Sequence, residues 1–273
     1  MACEAPLISV LMGVYNCEKT LDESLRCLEA QTEKRWECII CDDGSADRSA
    51  EIISEWQRKF PGKYILLRNS RNKGLAAALN RCLAEASGEF IARMDGDDLC
   101  SPERFEKELR FLRDHPEYAV VSTDMQCFDE NGVWGLRQYP TEPGPEDLVK
   151  GTPFCHAACM VRREAMLAVK GYSESEQVAR AEDYDLWVRM YEAGYRGGNI
   201  HEPLYQMRDD RNAAVRRNRR NRLNEARVRL SAIKRMKLPL RSCVHVLRPL
   251  VLGLLPNRVY HYLHRKKLMR GSR

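Results

Sequence analysis

The chain has 273 residues, of which 44% are hydrophobic and 31% are charged. That length allows one large domain with a smaller appendage, and that apolar content excludes a chain that is disordered throughout. Because the formal net charge of +6 is unevenly divided along the chain, we expect its two ends to have different partners.

The predicted elements begin with a strand and a helix. The run LISVLMGV at 7–14 is apolar and β-branched, and Leu21, Leu25 and Leu28 follow at helical spacing. The alternation recurs in WECIIC and SAEIISEWQRKF, in YILL and LAAALNRCLAEA, and in EFIARM followed by a helix that Ser101 and Pro102 are predicted to begin. Four such units predict an α/β fold with a parallel sheet covered by helices on both faces.

Polar side chains follow each of these four strands. The segments are Tyr15-Asn16, CDDGSAD at 41–47, NSRNKG at 69–74 and DGDD at 95–98. Ligands of open α/β sheets bind beyond the carboxyl ends of the strands, so we expect carboxylates from two strand ends to converge there.

Converging carboxylates repel one another unless a cation lies between them. Oxygen ligands suit Mg²⁺ or Mn²⁺, which one or two carboxylates commonly hold together with substrate phosphates. A nucleoside diphosphate is therefore the predicted third party, with Arg71 and Lys73 placed to meet phosphate. Taken alone, an acidic stretch of this kind is also typical of a solvated turn.

The second half of the chain has a different pattern. Short strands and turns are predicted from residue 115 to 151, and helices at 163–169 and 182–193. From Arg211 the sequence is basic and helical to about Arg235, and Pro239 opens a more apolar stretch. This half is predicted to be a mixture of short strands, turns and helices.

Basic residues are concentrated at the C-terminal end. Residues 208–273 contain 20 Lys and Arg against Asp209, Asp210 and Glu225, a net charge of +17, so that residues 1–207 carry −11. We predict a domain at 1–207 and a basic helical extension at 208–273. The extension is expected to attach to an anionic membrane surface, and a helical cap with a solvated basic face is the alternative.

Cysteine content and hydropathy bear on the compartment. No secretory signal precedes the eleven cysteines, which favours a reducing, cytoplasmic location. Cys38 and Cys41 form a lone CxxC within an apparent buried strand, and no second pair at zinc spacing follows, which favours packing over metal binding. The sequence contains no run of about 18 apolar residues, so no membrane-spanning segment is predicted.

Four segments together resemble a known family. PLISVLMGVYN, IICDDGSADRS, NSRNKGLAAALNRCLAEASGEFIARMDGDD and RAEDYDLWVRM are similar to motifs of glycosyltransferase family 2, in that family's order, over residues 6–207. The resemblance implies the GT-A fold of nucleotide-diphospho-sugar transferases, with a Rossmann-like, mostly parallel sheet and flanking helices. It also implies a divalent metal and transfer with inversion at the anomeric carbon.

The resemblance assigns roles to individual positions. Tyr15 and Asp43 match residues that contact the nucleotide base, and Arg71 is a looser match near the phosphates. Asp95 and Asp97 match the DxD motif that faces the ribose of the nucleotide-sugar and the metal.

Further positions concern the metal, the reaction and the acceptor. Asp97 and Asp98 match the metal site, and Asp183 matches the catalytic base that takes the proton of the acceptor hydroxyl. Three more residues are candidates for a donor or acceptor pocket, namely His156, Glu182 and Arg208.

The function predicted from these motifs is transfer of one sugar per encounter, from a UDP-linked donor to a saccharide or lipid-linked saccharide in surface polysaccharide synthesis, at the inner face of the cell membrane. A processive synthase is disfavoured because Q-x-x-R-W and membrane-spanning helices are lacking in the sequence. Two alternatives are a catalytically inactive nucleotide-sugar binder and a protein that binds nucleic acid or another polyanion through its basic tail. Against nucleic acid, no aromatic residues interleave the basic run.

Overall fold

The computed structural model describes residues 5–209 and 219–253, together with residues 266, 268 and 269. The predicted start of the basic helix at Arg211 lies outside the described residues. Within them the chain is a mixed α/β fold built around one nine-stranded sheet.

The first half of the sheet is parallel, as predicted. Its strands lie in the order β3-β2-β1-β4, and the register pairs Val14 of β1 with Asp42 of β2. The carboxyl ends of these strands therefore meet at one edge. The elements are β1 (Ile8–Val14), α1 (Leu21–Glu29), β2 (Trp36–Asp42), α2 (Ser49–Lys59), β3 (Tyr64–Arg68), α3 (Leu75–Glu85) and β4 (Phe90–Arg93).

Burial explains why these strands read as continuous apolar runs. Every residue of β2 is buried, because helices cover both faces of this half of the sheet. Leu25 and Leu28 of α1 lie in the core on one face, and Leu79 and Cys82 of α3 lie in the core on the other.

The second half of the sheet is mixed. β8 runs antiparallel to β4 and β6, β6 and β7 form an antiparallel hairpin, and β6 runs parallel to β9. The predicted mostly parallel sheet is confirmed, because its two longest strand pairings, β1 with β2 and β6 with β9, are parallel, and the antiparallel pairings lie in the second half. The elements are β5 (Leu99–Cys100), α4 (Arg104–Asp114), β6 (Val120–Asp129), β7 (Gly132–Arg137), α5 (Pro145–Lys150), β8 (Met160–Arg162), α6 (Arg163–Ala168), α7 (Glu182–Glu192) and β9 (Gly197–Arg208).

The predicted start of α4 is wrong by two residues. Ser101 and Pro102 precede the helix, which begins at Arg104 with Glu103 as its N-cap residue and no side-chain cap. The reason is tertiary: residues 99 and 100 form a short strand on β9, and the Ser101 N–H donates to the Leu204 carbonyl.

The described part of the C-terminal extension is helical and packs on the domain. α8 (Arg219–Arg235) contacts α5 and α7, and Val228 and Ala232 share a core with Trp187. A 3-10 turn at Leu240–Cys243 leads to α9 (Val244–Leu252), which packs against α8. None of the helices in 5–209 and 219–253 has the length and apolarity needed to traverse a bilayer. The division at residue 207 stays a prediction.

Candidate active site

The loops after β1 and β2 are bonded to each other. The Asn16 N–H donates to Ser45 Oγ at 3.0 Å, and Asn16 Oδ1 accepts the Ala46 N–H at 2.9 Å. Asn16 has a φ of 54°, a left-handed conformation that Asn tolerates better than most residues. The result is a fixed turn that leaves the Tyr15 side chain 49% exposed, which suits a ring that stacks on a ligand.

Asp43 fixes the loop that follows β3. Its Oδ1 accepts hydrogen bonds from Asn69 Nδ2 and the Lys73 N–H, and its Oδ2 accepts one from the Gly74 N–H. The two loops also touch at Gly44, where φ is +77° and a Cβ would lie 2.7 Å from the Arg71 backbone. Asp43 therefore shapes the loop that presents the exposed Arg71; contacts of either residue with a nucleotide stay predictions.

Three carboxylates of the DGDD loop differ in exposure. Asp95 and Asp97 are partly exposed, whereas Asp98 is 2% exposed. Asp98 Oδ2 accepts from the Tyr205 hydroxyl at 2.9 Å and Oδ1 from the Arg208 N–H at 2.8 Å. Burial, and then the charges of Asp95 and Asp97, hold the pKa of Asp98 well above its usual range. The predicted metal contact of Asp98 stays a prediction, and its observed contacts join the loop to β9.

The Arg208 side chain wraps the same loop. Its Nε donates to the Asp97 carbonyl at 2.9 Å, its Nη2 forms an ion pair with Glu23, and the guanidinium lies 4.5 Å from the centre of the Phe128 ring. The Arg208 guanidinium, which was predicted to contact a donor or acceptor, is therefore already bonded within the chain. Its predicted role in substrate binding stays a prediction.

A buried arginine supports the loop from below. Arg93 donates to the Leu11 and Met94 carbonyls and forms an ion pair with Asp95. Burial, and then the positive charge of Arg93, lower the pKa of His156 well below its usual range, so the imidazole is neutral. His156 Nε2 lies 2.8 Å from the Tyr172 hydroxyl.

Asp183 lies in the first turn of α7 and is partly buried. Burial raises the pKa of Asp183 to about 6, and the charge of Glu182 adds to that effect. Asp183 and Asp95 both act electrostatically on the Tyr172 phenol, whose pKa is raised chiefly by burial. Asp183 of α7 and Asp95 of the DGDD loop thus lie within electrostatic range of the same tyrosine, and their convergence on one substrate site stays a prediction.

The donor set of the loop suits a hard divalent cation. Within 5–209 and 219–253, no group of three or more His, Cys, Asp or Glu side chains is arranged to hold a metal. Asp97, with Asp98 beside it, offers oxygen alone, which fits Mg²⁺ or Mn²⁺ bound jointly by one or two carboxylates and substrate phosphates.

Sequence reasoning missed three residues that organise the site. Arg93, Tyr172 and Tyr205 are buried, and each contacts a candidate residue. A charged residue inside the apolar run EFIARM was a usable signal for Arg93, because buried charges are rarely left unpaired. The tyrosines carried no comparable signal.

Comparison with known proteins decides the family. The family model described as "Glycosyl transferase family 2" matches residues 9–169. The chain is 43% identical to "Putative glycosyltransferase EpsE" of Bacillus subtilis, over 97% of this chain and 95% of that one. The chain belongs to glycosyltransferase family 2. Two further relatives are "Amylovoran biosynthesis glycosyltransferase AmsE" of Erwinia amylovora (28% identical, 95% and 98% covered) and an Escherichia coli enzyme named "UDP-Gal:alpha-D-GlcNAc-diphosphoundecaprenol beta-1,3-galactosyltransferase" (30%, 80% and 79%).

Solved structures of glycosyltransferases share the fold, which confirms the predicted GT-A architecture. S. aureus TarS, residues 1–349, superposes with a TM-score of 0.69 at 19% identity, covering 89% of this chain and 71% of that one. The same protein with UDP-GlcNAc gives 0.65 at 18% identity, covering 92% and 82%. Mannosyltransferase PcManGT from Pyrobaculum calidifontis, with GDP-Man and Mn²⁺, gives 0.64 at 18%, covering 95% and 79%.

Proposed function

We propose that this family 2 glycosyltransferase is an inverting, metal-dependent and non-processive enzyme, which moves one sugar from a UDP-linked donor to a hydroxyl of a saccharide or lipid-linked saccharide in surface polysaccharide synthesis. The observation that carries the proposal is that Asp183, whose pKa is raised to about 6, and Asp95 of the DGDD loop both lie within electrostatic range of Tyr172. The relative named "Amylovoran biosynthesis glycosyltransferase AmsE" supports the polysaccharide pathway.

The donor is bound by the loops at the carboxyl edge of the parallel strands. Tyr15 offers its exposed ring to the base, and Asp43 holds the loop that carries Arg71 close to the phosphates. Asp95 and Asp97 face the ribose and the diphosphate. Asp97, with Asp98 beside it, would hold an Mg²⁺ or Mn²⁺ ion, which would supply positive charge to the leaving diphosphate.

Asp183 takes the proton. In a single displacement the acceptor oxygen bonds to the anomeric carbon as the bond to the diphosphate breaks, and the hydroxyl proton passes to the Asp183 carboxylate. A pKa near 6 keeps this group ionised at neutral pH while making it a stronger base than an ordinary Asp. Glu182 raises that pKa further through its charge. Tyr172, whose hydroxyl lies 2.8 Å from Nε2 of the neutral His156, is within electrostatic range of Asp183.

A lipid-linked acceptor places the enzyme at a membrane surface, and α9 supports such a location. Four apolar residues, spaced as one face of a helical stretch, are each more than half exposed: Leu240, Val244, Leu247 and Val251. Exposed Arg241 and Arg248 flank them. An apolar stripe flanked by cations fits the interface of an anionic bilayer.

Vesicle sedimentation tests the membrane surface. The full chain is expected to sediment with phosphatidylglycerol-containing vesicles, and a Val244→Glu/Leu247→Glu variant is expected to remain in the supernatant. Val133→Glu, at a residue that is 53% exposed on β7, is the matched control and should sediment like the unmodified chain. Equal sedimentation of all three proteins would refute α9 as the attachment surface.

Polyanion binding through the basic tail is disfavoured because many cations of α8 are already paired. Arg220 contacts Glu176, Arg235 contacts Glu192, and Arg229 contacts Glu225. Cations that are engaged by carboxylates of the same chain are poor candidates for releasing counterions from nucleic acid.

A thermal-shift panel tests the donor. UDP-, GDP- and dTDP-sugars are compared with and without Mn²⁺, since a ligand that binds the native state alone stabilises it by RT ln(1 + [L]/Kd). We expect a UDP-sugar to raise Tm in the presence of the metal only. A panel without any metal-dependent shift would refute the proposed donor chemistry.

A further inference from the structure

Arg137 is a cation that the proposed roles leave unused. It is the last residue of β7, where it pairs in register with Met125 of β6. The side chain is partly buried, and its guanidinium lies 4.7 Å from the centre of the Tyr139 ring.

The Arg137 side chain forms no hydrogen bond or ion pair with the residues that the structure describes, and its guanidinium lies over the Tyr139 ring. Other arginines with low exposure differ: Arg93 is paired with Asp95 and Arg104 with Glu108. None of the Arg137 side-chain nitrogens is fully buried without a hydrogen-bond partner, so the unpartnered guanidinium is in contact with solvent. A partly buried charge without a counter-ion is costly, and an anionic ligand would offset that cost.

The position of Arg137 relates it to the proposed base. Tyr139 is the largest cause that raises the pKa of Arg137. Asp183 also raises it, and is the one carboxylate among the smaller causes. Conversely, the charge of Arg137 opposes the rise in the pKa of Asp183. Geometry places Arg137 on the same face as the acidic loop: Arg137, Met125 and Tyr205 lie in one row across β7, β6 and β9, so their side chains share a face of the sheet. The Tyr205 hydroxyl donates to Asp98 of that loop.

We propose that Arg137 binds a phosphate or diphosphate group of a substrate beside Asp183, with the acceptor as the expected source. This inference rests on the proposed function, because it gives the acceptor a charged group. The planar guanidinium presents paired donors to phosphate oxygens, and its position over the Tyr139 ring limits where the side chain can move. A phosphate held there would orient the neighbouring sugar hydroxyl toward Asp183.

A phosphorus NMR titration in Mg²⁺ tests the assignment with two probes. Inorganic phosphate is titrated into protein that is saturated with UDP, and UDP is titrated separately. Arg137→Gln is expected to weaken phosphate binding by about tenfold or more while leaving the Kd of UDP unchanged. Arg137→Lys should recover part of the affinity, because the charge remains but the paired donors are lost. Arg110→Gln, an exposed arginine on α4, is the control and should match the unmodified protein.

Each result decides the proposal. A fall in UDP affinity for Arg137→Gln would support the phosphate site and identify the donor diphosphate as its source. Equal affinities of Arg137→Gln and the unmodified protein for both probes would overturn the inference. Failure of the unmodified protein to bind UDP would refute the proposed donor instead, and the phosphate titration of ligand-free protein would still compare Arg137 with Gln.

Discussion

The two halves of the site differ in how their polar groups are satisfied. On the donor side, Asp43 and Asp98 each accept hydrogen bonds on both carboxylate oxygens, and Asp95 is paired with Arg93. On the other side, neither Asp183 nor Arg137 forms an ion pair with any described residue. The chain therefore builds a fixed platform for one substrate and leaves charges for the other substrate to meet.

The difference has an energetic meaning. The hydrogen bonds accepted by Asp43 and Asp98 contribute about 0.5–1.5 kcal/mol each, and more where the acceptor is ionised, which helps to keep the donor loops in place before a ligand binds. Burial of the Asp183 carboxylate without an ion pair costs free energy, and its raised pKa records that cost. Perturbed and unpaired groups of this kind cluster at functional sites.

Removal of the proposed base, Asp183, is expected to have the largest effect, and to affect transfer but not donor binding. Asp183→Asn is expected to lower sugar transfer by a factor of about 10² to 10⁴, because the acceptor proton loses its base, while binding of UDP with Mn²⁺ is retained. The measurement is kcat for transfer, or for hydrolysis of the UDP-sugar, beside a UDP titration. Glu192→Gln, at the far end of α7, is the control. Retained turnover in Asp183→Asn would remove Asp183 from its role.

Two substitutions in the DGDD loop test whether Asp97 and Asp98 have different roles on the donor side. Asp97→Ala is expected to weaken UDP binding at millimolar Mn²⁺ by about 10- to 100-fold. Asp98→Ala should lower the free energy of unfolding by about 1–3 kcal/mol, since the Tyr205 hydroxyl and the Arg208 N–H lose their acceptor. Titrations with UDP and urea unfolding separate the two effects. If Asp98→Ala weakened UDP binding at unchanged stability, Asp98 would be a metal ligand rather than a support.

The pH dependence of sugar transfer tests the role of Asp183, which has no ion-pair partner among the described residues. Transfer should fall about tenfold per pH unit below pH 6, where the carboxyl becomes protonated, provided donor binding is saturated. A pH–rate profile that is flat down to pH 5 would contradict this assignment.

The same pKa has a consequence for stability. The folded protein binds this proton more tightly than the unfolded chain, so the group favours folding at low pH, and that contribution is lost as pH rises from 3.8 to about 6. Asp183→Asn should therefore be more stable than the unmodified protein by about 1–3 kcal/mol at pH 8 and equally stable near pH 3.5, as measured by urea unfolding. A variant that is less stable at pH 8 would oppose this account.

The smallest expected effect concerns the support of α7. Asn224 of α8 is buried, and its Nδ2 donates to the Glu176 and Ala179 carbonyls in the loop that leads to Asp183. Asn224→Ala should cost about 1–2 kcal/mol of unfolding free energy and lower transfer less than tenfold. Ser231→Ala, on the same helix, is the control. An effect on UDP affinity as large as that of Asp97→Ala would contradict the separation of the two halves.

The sequence by itself determined the first half of the fold and most of the candidate residues. Period-3.6 leucines and continuous apolar runs specify α1 and the strands β1 to β4, and their alternation with helices predicts that these strands are parallel. The strand order β3-β2-β1-β4 was not predicted. The acids after β2 and β4 were predictable for the same reason, since a parallel strand must end at the shared edge.

Only the tertiary structure decided the rest. The short strand β5, the start of α4 at Arg104 and the contacts of Asp98 with β9 depend on segments about a hundred residues apart, which no local period encodes. Whether Asp183 or Arg137 has a partner is likewise a property of packing. A charge is specified by one residue, but its neutralisation depends on every element that folds around it.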